Sequence, residues 1–418
     1  MATGRGLGIV TDGLVFYYDT GNSIDSYLGE PTTNLVGNPT FIGTSGTQTQ
    51  GVSPANWVFS GYSGDTGFKF YNSSTSPIPL KFPNEGAVIT TGPNDTENRR
   101  IYFRRTDLLP NTTYSISCWM YFGRSFSNAW SRFQYDSNGS YTGGEYFDNF
   151  ATYASANGYG LNEWFLWQGT LTTDATTAQC YWGPVISKGV DILVGMQRMQ
   201  VEVKPHITPF VNGTRSTTGS LLDISGQEVE IDLANVSFDS NAQMTFDGTD
   251  DYAETVYLSD IVGASPTAIS FELIVKANGL TTYSGMMGDY VGPSGTGFGI
   301  KKASLTDDRF EFRPYAVGAI HRTNASIEVG KYYHLVCTWS NTGTLQMFVN
   351  GVLDTSASNV GTTWNHGLGV LRIGDCYGGM GIPAEFNGDI PLAKIYNKAL
   401  TAAEVKRNYN AIKTRFGL

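Results

Sequence analysis

Between positions 121 and 160 the chain carries Trp130, Phe133, Tyr135, Tyr141, Tyr146, Phe147, Phe150, Tyr153 and Tyr159, interleaved with Ser, Asn and Gly and with Asp136, Glu145 and Asp148. Flat aromatic faces stack on the C–H face of a sugar ring, while amides and carboxylates take its hydroxyls, so this mixture suits carbohydrate. Trp130, Tyr135, Tyr141 and Tyr146 are the candidate binding residues. Strand alternation turns every second residue inward, so part of this aromatic set must fill a core instead. A second group, Asp247, Asp250 and Asp251 with Asp375 or Asp389, offers the hard oxygen ligands that Ca²⁺ requires. Against that stands the habit of aspartates in strand-end turns of accepting backbone hydrogen bonds. His206, His321, His334 and His366 have no metal spacing and no neighbouring cysteine, and His334, within a strand, reads as a core residue. No G-x-S-x-G, phosphate-binding loop or dinucleotide fingerprint occurs, and no residue is assigned a catalytic role.

The elements that must position these residues are strands. Ile9 to Asp19 is an apolar opening strand that breaks off at Tyr27-Leu28-Gly29-Glu30-Pro31. The pattern that should follow it, Leu222-Asp223-Ile224-Ser225-Gly226 leading to Met244 through Tyr252, appears only after a long intervening segment. From Phe246 onward, alternating strands recur between Gly, Asn and Asp clusters, as in an antiparallel sandwich. Ala268 to Lys276 is one strand and Tyr332 to Trp339 another; Leu345 to Asp354 is a hairpin whose Asn350-Gly351 suits a type I′ turn. The one convincing helix starts at the capping box Thr401-Ala402-Ala403-Glu404, with Leu400 and Val405 as a hydrophobic staple. Val405, Tyr409 and Ile412 then form its apolar stripe.

Composition sets the outer limits. A chain of 418 residues exceeds one ordinary core. A net charge of −10 leaves no electrostatic footprint for nucleic acid, and the Arg99-Arg100, Arg104-Arg105 cluster is flanked by Asp95, Glu97 and Asp107. Charged residues make up only 15% while aromatics reach 13% and glycines number 50, which suits short strands and tight turns over helices. No apolar run is long enough for a membrane-spanning helix. Met1 to Gly8 lacks the basic-then-apolar run of a signal peptide, so secretion by the general route is not expected. Cys118, Cys180, Cys337 and Cys376 are widely spaced and read as reduced, buried thiols.

Phe246-Asp247-Gly248-Thr249-Asp250-Asp251-Tyr252, Met347-Phe348-Val349-Asn350-Gly351, Leu371-Arg372-Ile373-Gly374, and Phe386-Asn387-Gly388-Asp389-Ile390 through Ile395 to Thr401 together resemble a concanavalin A-like (laminin G-like) domain. The opening Ile9 to Val15 resembles the start of such domains in structural proteins of tailed bacteriophages. In that subgroup a "D-L-S-G-N-G-N" loop joins the first strand to the "F-D-G-x-D-D-Y" strand; Asp223-Ile224-Ser225-Gly226 matches its beginning and Gln227-Glu228 departs from it. Between these parts, Thr33 to Phe41 with Trp57, Thr113 to Tyr121, Trp164 to Leu171 and Val194 to Glu202 resemble the jelly-roll carbohydrate-binding modules of xylanases and cellulases and their relatives in phage particles. The expected fold is all-β: a concanavalin A-like sandwich (1–32 plus 213–418) interrupted by a jelly roll (33–212), two antiparallel β-sandwiches with one short C-terminal helix.

One enzyme motif bears on function. Glu230-Ile231-Asp232-Leu233-Ala234-Asn235 resembles the "E-[ILV]-D-x-x-E" strand of laminarinase-type glucanases, whose first Glu is the nucleophile and last Glu the acid/base. A retaining glycosidase needs both carboxyls. Asn235 occupies the acid/base position and cannot donate a proton to a leaving oxygen. The resemblance therefore implies a non-enzymatic structural protein on the virion surface: a head decoration, head fibre or tail appendage subunit, with adhesion to host glycans as an added role. Its partners would be other virion proteins, reached through the arm Met1 to Gly8 or through the interrupted sandwich, a host-surface polysaccharide, and further copies of itself in a homo-oligomer. A free carbohydrate-binding lectin is the alternative and a glycoside hydrolase the third reading. No cofactor is demanded by any motif; Ca²⁺ at Asp247, Asp250 and Asp251 is the candidate ion.

Overall fold

The structure is a computed structural model and describes residues 8–41, 46–48, 57–60, 68–72, 74–91, 99–126, 129–137, 140–173, 175, 179–187, 193–239, 243–280, 283–289, 296–304, 306–315, 320–376 and 385–418. Some strand side chains, 130–137, 140–148 and 179–182 among them, lie outside the described residues. The chain divides into two compact units, Met1–Pro31 with Ser216–Leu418, and Thr32–Arg215. The first is the interrupted unit and the second the inserted unit.

The interrupted unit is two facing antiparallel sheets. One runs in the order Ser237–Phe238, Met244–Asp247, Asn387–Tyr396, Ala268–Ala277, Tyr332–Ser340, Thr344–Val349, Val352–Ser358. The opening strand Leu14–Asp19 also pairs with Asn387–Tyr396, from Leu14 opposite Tyr396 to Asp19 opposite Leu392. The second sheet runs Asp232–Ala234, Tyr252–Glu254, Arg372–Ile373, Gly285–Gly288, Phe298–Ser304, Asp307–Pro314, His321–Ser326. Between the sheets lie Phe271, Leu273, Phe298, Phe312, Trp339 and Trp364, with the Phe271 and Phe298 rings stacked at 4.2 Å. Asn350 and Gly351 have φ of 51° and 74°, the two positive values of a type I′ turn, and join Val349 to its partner Val352.

Ala268–Ala277 is buried almost end to end because both its faces are covered. Phe271, Leu273 and Val275 point into the sandwich. Ile274, with Leu392, meets Ile412 of the C-terminal helix Ala402–Phe416 on the other face. The Thr401 hydroxyl accepts from the Glu404 amide at 3.3 Å and the Glu404 carboxylate accepts from the Thr401 amide at 2.9 Å, so the capping box forms as its residues predict. The buried stripe, however, is Val405, Asn408 and Ile412, while Tyr409 is half-buried beside His334.

Asn408 is drawn in by a charge. Glu272, with no exposed surface, accepts from Lys394 at 2.8 Å, from Asn408 at 2.5 Å and from Tyr396 at 3.4 Å, and lies 3.2 Å from His334 Nε2. Lys394 sits directly opposite Glu272 on the neighbouring strand. Asn408 Oδ1 accepts from the Val10 amide at 2.8 Å, and the Tyr396 hydroxyl donates to the Val10 carbonyl at 3.2 Å. Burial raises the Glu272 pKa, but the Lys394 charge and the His334 hydrogen bond outweigh it and hold the carboxyl at about 2.

The loop Asp223-Ile224-Ser225-Gly226 has an equally physical basis. The Asp223 carboxylate accepts from the amides of Tyr17 (2.9 Å), Ser225 (2.9 Å) and Val229 (3.1 Å) and from the Ser225 hydroxyl (2.8 Å). One side chain thus closes the loop and fastens it to the opening strand.

The inserted unit also has two antiparallel sheets. The first runs Ser140–Asn149, Ala129–Ser137, Gln179–Ile186, Arg99–Arg105, Trp57–Ser60. The other runs Trp164–Thr172, Thr113–Phe122, Leu193–Glu202, Ala87–Thr91, Phe68–Tyr71, Gly46–Gln48. Its core includes Trp57, Phe103, Ile116, Met120, Phe122, Phe165, Trp167 and Met196. Asn34 is buried with all its capacity used: Nδ2 donates to the Met199 and Val211 carbonyls, and Oδ1 accepts from the Val36 and Val201 amides, each at 3.1 Å. The two ends of the unit meet in the short ladder Thr32–Thr33 with Thr214–Arg215.

Two further helices, Phe150–Asn157 and Leu258–Val262, exceed the single one expected. Phe150–Asn157 buries only Phe150 and Ala154, too sparse a stripe to show as periodicity. Its ends carry the signal instead, with Asn149 capping the Ala151 amide at 2.9 Å and Gly158 in the left-handed conformation. Cys118, Cys337 and Cys376 are buried free thiols whose pKa burial pushes well up; the Cys180 side chain lies outside the described residues.

The Glu272 network predicts stability directly. Glu272→Leu alone strands Lys394 without its counter-charge and should lower the unfolding free energy of the interrupted unit by about 3–5 kcal/mol, with Glu272→Leu/Lys394→Met recovering much of the loss. The folded state binds the Glu272 proton less readily than the unfolded chain. The contribution is therefore complete above the ordinary value of 4.5 and disappears as pH falls towards about 2. Guanidinium unfolding followed by tryptophan fluorescence across that range checks both statements.

Candidate functional site

The aromatic candidates sit on a hairpin at the edge of the first sheet of the inserted unit. Ala129–Ser137 pairs with Ser140–Asn149, placing Tyr141 opposite Asp136, Gly143 opposite Tyr135, Tyr146 opposite Arg132 and Asn149 opposite Trp130. The ladder shifts register between Tyr141 and Gly143 and again between Tyr146 and Asp148. Such bulges bend a strand and re-aim its side chains, and they concentrate at sheet edges and next to sites. The side chains of Trp130, Tyr135, Tyr141 and Tyr146 lie outside the described residues. Three other aromatics of the segment pack internally. Phe150 is buried, Tyr159 stacks on Phe165 at 4.8 Å, and the Tyr153 hydroxyl donates to the Leu166 carbonyl at 3.2 Å.

Asp247, Asp250 and Asp251 come together in the turn between Met244–Asp247 and Tyr252–Glu254, with carboxylate oxygens within 4.8 Å of one another. Each also has a local partner. Asp251 accepts from the Asp247 amide at 2.8 Å, Asp247 from the Thr249 amide at 2.7 Å, and Asp250 from the Asn235 side-chain amide at 3.0 Å. Burial pushes Asp251 up to about 6, opposed by the Asp247 amide and aided by the charges of Asp247 and Asp250. Three carboxylates suit a hard cation but supply fewer ligands than the six to eight oxygens of a Ca²⁺ shell. Asp375 and Asp389 do not join them: Asp375 accepts from Arg372 at 3.1 Å and Asp389 is paired with Lys276.

The glucanase-like stretch lies beside this turn. Asp232–Ala234 is a three-residue strand at the sheet edge, pairing only with Tyr252–Glu254. Glu230 precedes the strand and Asn235 ends it at a φ of 56°, a left-handed position that Asn tolerates better than Glu. Its side-chain amide is bonded to Asp250, so the acid/base position is filled by a turn-forming residue with a structural partner.

Residues 247–406 match the Concanavalin A-like lectin/glucanases superfamily. That span runs from the aspartate turn into the C-terminal helix. A comparison with curated proteins finds no match. Among solved structures, the chain is similar to domain 4 of AbnA, a GH43 extracellular arabinanase from Geobacillus stearothermophilus in complex with arabinotriose, at 16% identity and a TM-score of 0.37, covering 46% of this chain and 93% of that one. It is also similar to the botulinum neurotoxin serotype C1 binding domain, at 14% identity and a TM-score of 0.36, covering 47% of this chain and 51% of that one. A third is a botulinum neurotoxin type C structure described as dependent on two ganglioside molecules for cell entry, at 15% identity and a TM-score of 0.37, with 47% and 50% covered. The chain thus spans about half the length of the toxin structures.

Asn235→Glu supplies the carboxyl that a retaining mechanism would need. The variant should release no reducing sugar from laminarin, and should lose about 1–2 kcal/mol of stability through left-handed strain and a new charge beside Asp250. Reducing-sugar assays and denaturant unfolding check the two halves.

Proposed function

We propose that this chain is a non-enzymatic surface component of a tailed-phage virion, a head decoration, head fibre or tail appendage subunit, that also adheres to host glycans. The observation that carries the non-enzymatic half is the combination at the aspartate turn. A sandwich matching a lectin and glucanase superfamily holds, at its glucanase-like strand, a bonded Asn235 in place of the general acid. Such a strand cannot protonate a leaving group. The virion half is supported by the phage-like opening strand and its Asp223 loop, which the structure shows serving one another. Adhesion would fall to the bulged aromatic hairpin, through stacking on Trp130, Tyr135, Tyr141 and Tyr146. Calcium held by Asp247, Asp250 and Asp251 would complete a lectin-like turn.

Attachment to the particle would fall to the N-terminal arm or to the interrupted sandwich. Val10 is bonded to Asn408 and the Gly8 carbonyl accepts from Arg407 at 2.6 Å, so Gly8 lies beside the C-terminal helix. Deleting residues 1–7 should reduce incorporation into particles severalfold, read by quantitative immunoblot of purified virions; undiminished incorporation would assign attachment to the sandwich.

A glycan array probed with the purified chain should give hits among host-surface polysaccharides, and Trp130→Ala or Tyr141→Ala should weaken them about tenfold, the loss of one stacked ring. Antibody to this chain should decorate virions in negative stain. Bare particles would reject the virion reading, and a silent array the adhesion reading.

A further inference from the structure

At the far end of the C-terminal helix the interrupted unit contains an open pocket of about 270 Å³, lined by Thr20, Gly21, Gln243, Tyr332, Pro391, Arg415 and Phe416. We propose that this pocket binds a single neutral pyranose unit. The proposal is separate from adhesion by the inserted unit and does not depend on it.

Behind the lining residues Gln243 and Tyr332 lies Asp389, which has no exposed surface. It is paired with Lys276 and accepts from Gln243, from Thr245 at 2.9 Å, and from Asn278 and Tyr332 at 3.4 Å. Donating its NH₂ to Asp389 fixes the Gln243 amide, whose Oε1 makes no further hydrogen bond among the described residues. Arg415 is held from the other side, with Nη1 donating to Asp19 at 2.5 Å, and its Nε and Nη2 have no acceptor among the described residues. A fixed amide acceptor and a guanidinium with spare donors are what adjacent ring hydroxyls require, since each hydroxyl both donates and accepts.

The remaining surface is apolar and aromatic. Tyr332 and Phe416 stand with ring centroids 5.2 Å apart at 54°; Lys276 Nζ lies over the Tyr332 ring at 5.0 Å and the Arg415 guanidinium over the Phe416 ring at 4.6 Å, so only ring surface turned away from those cations can meet the C–H side of a sugar. The Thr20 amide is bonded to the Pro391 carbonyl at 3.0 Å, so that wall is fixed before any ligand arrives. Gly21 leaves room for the Arg415 guanidinium, which a Cβ at this position would displace. Lys413 and Arg415 in the last helical turn complement the helix dipole, which accounts for a charge but not for the cavity beside it.

Charge decides the ligand class. Asp19 balances Arg415 and Lys276 balances Asp389. An anionic sugar would compete with Asp19 and approach the buried Asp389, so a neutral polyol is preferred. The volume of about 270 Å³, a little below the roughly 300–1,000 Å³ of drug-sized pockets, has room for one ring.

Saturation-transfer NMR and calorimetry on the full chain, with methyl pyranosides of glucose, galactose, mannose and N-acetylglucosamine against methyl glucuronide, test this. At least one neutral glycoside should bind saturably with a Kd on the order of 1 mM. Gly21→Leu, which fills the cavity, and Phe416→Ala should each weaken it about tenfold or more, whereas Trp130→Ala/Tyr141→Ala should leave it unchanged. Hydrogen exchange on the unaltered chain gives a readout that needs no variant to fold: backbone amides of 413–418 should slow on saturation. No neutral glycoside bound, tighter binding of the glucuronide, unchanged exchange at 413–418, or binding lost in the Trp130/Tyr141 variant and kept in Gly21→Leu would each overturn the assignment.

Discussion

Glu272 is a charge with nowhere to go. It lies under a helix, on the outward face of a central strand, with no contact with water. A carboxylate so placed is tolerable only if every neighbouring element delivers a donor. Lys394 comes from the strand beside it, His334 from the strand on its other side, Asn408 from the C-terminal helix, and Tyr396 from the end of the Lys394 strand. These requirements set the register of three strands and the rotation of the helix at once. Apolar packing forbids a one-residue slip, which would turn each face over; the Glu272–Lys394 pair also forbids a two-residue slip, which would keep the faces but part the charges.

The same constraint explains why the opening and closing segments belong to one unit. Asn408 and Tyr396 hold the Val10 backbone from both of its polar groups, and Leu14–Asp19 then runs along Asn387–Tyr396. With its start locked in this way, the chain still has to add the strands that follow Ser216. Asp223 makes that return strict, because it bonds the Tyr17 amide while capping its own loop. Within the inserted unit, Asn34 does similar work, tying the first residues to the closing strand and to Val211.

What could be read from residues alone follows from interaction range. The all-β class, the Asn350-Gly351 turn and the Thr401–Glu404 capping box are local, and the structure shows all of them. Ala268–Lys276, read as a strand, differs from the observed Ala268–Ala277 by one residue. Asn408 was illegible because a polar residue on a helix reads as solvent-facing, and its reason for burial stands 136 positions away. Phe150–Asn157 was missed because its evidence lies in two caps and not in a stripe. At the aspartate turn, proximity of Asp247, Asp250 and Asp251 was legible from spacing, while the exclusion of Asp375 and Asp389 depended on distant cations. The cavity at Arg415 had no sequence signal at all, since it is assembled from five separated stretches of chain.

Charge also shapes what the protein can recognise. The net charge is −10, and many of the described cations of the interrupted unit are already engaged: Lys394 by Glu272, Lys276 by Asp389, Lys301 by Glu311, Lys302 by Asp308, Arg372 by Glu254 and Asp375. Cations held this way stabilise the fold but contribute little attraction to a polyanion approaching from solution. The net charge is negative, so long-range steering of a strongly acidic polymer towards the chain is disfavoured. Aromatic faces and amides bind at short range, and their affinity does not depend on net charge. A glycan-binding role for such a chain therefore points to neutral sugar units, recognised at short range by stacking and hydrogen bonding, with little electrostatic steering and weak dependence on salt.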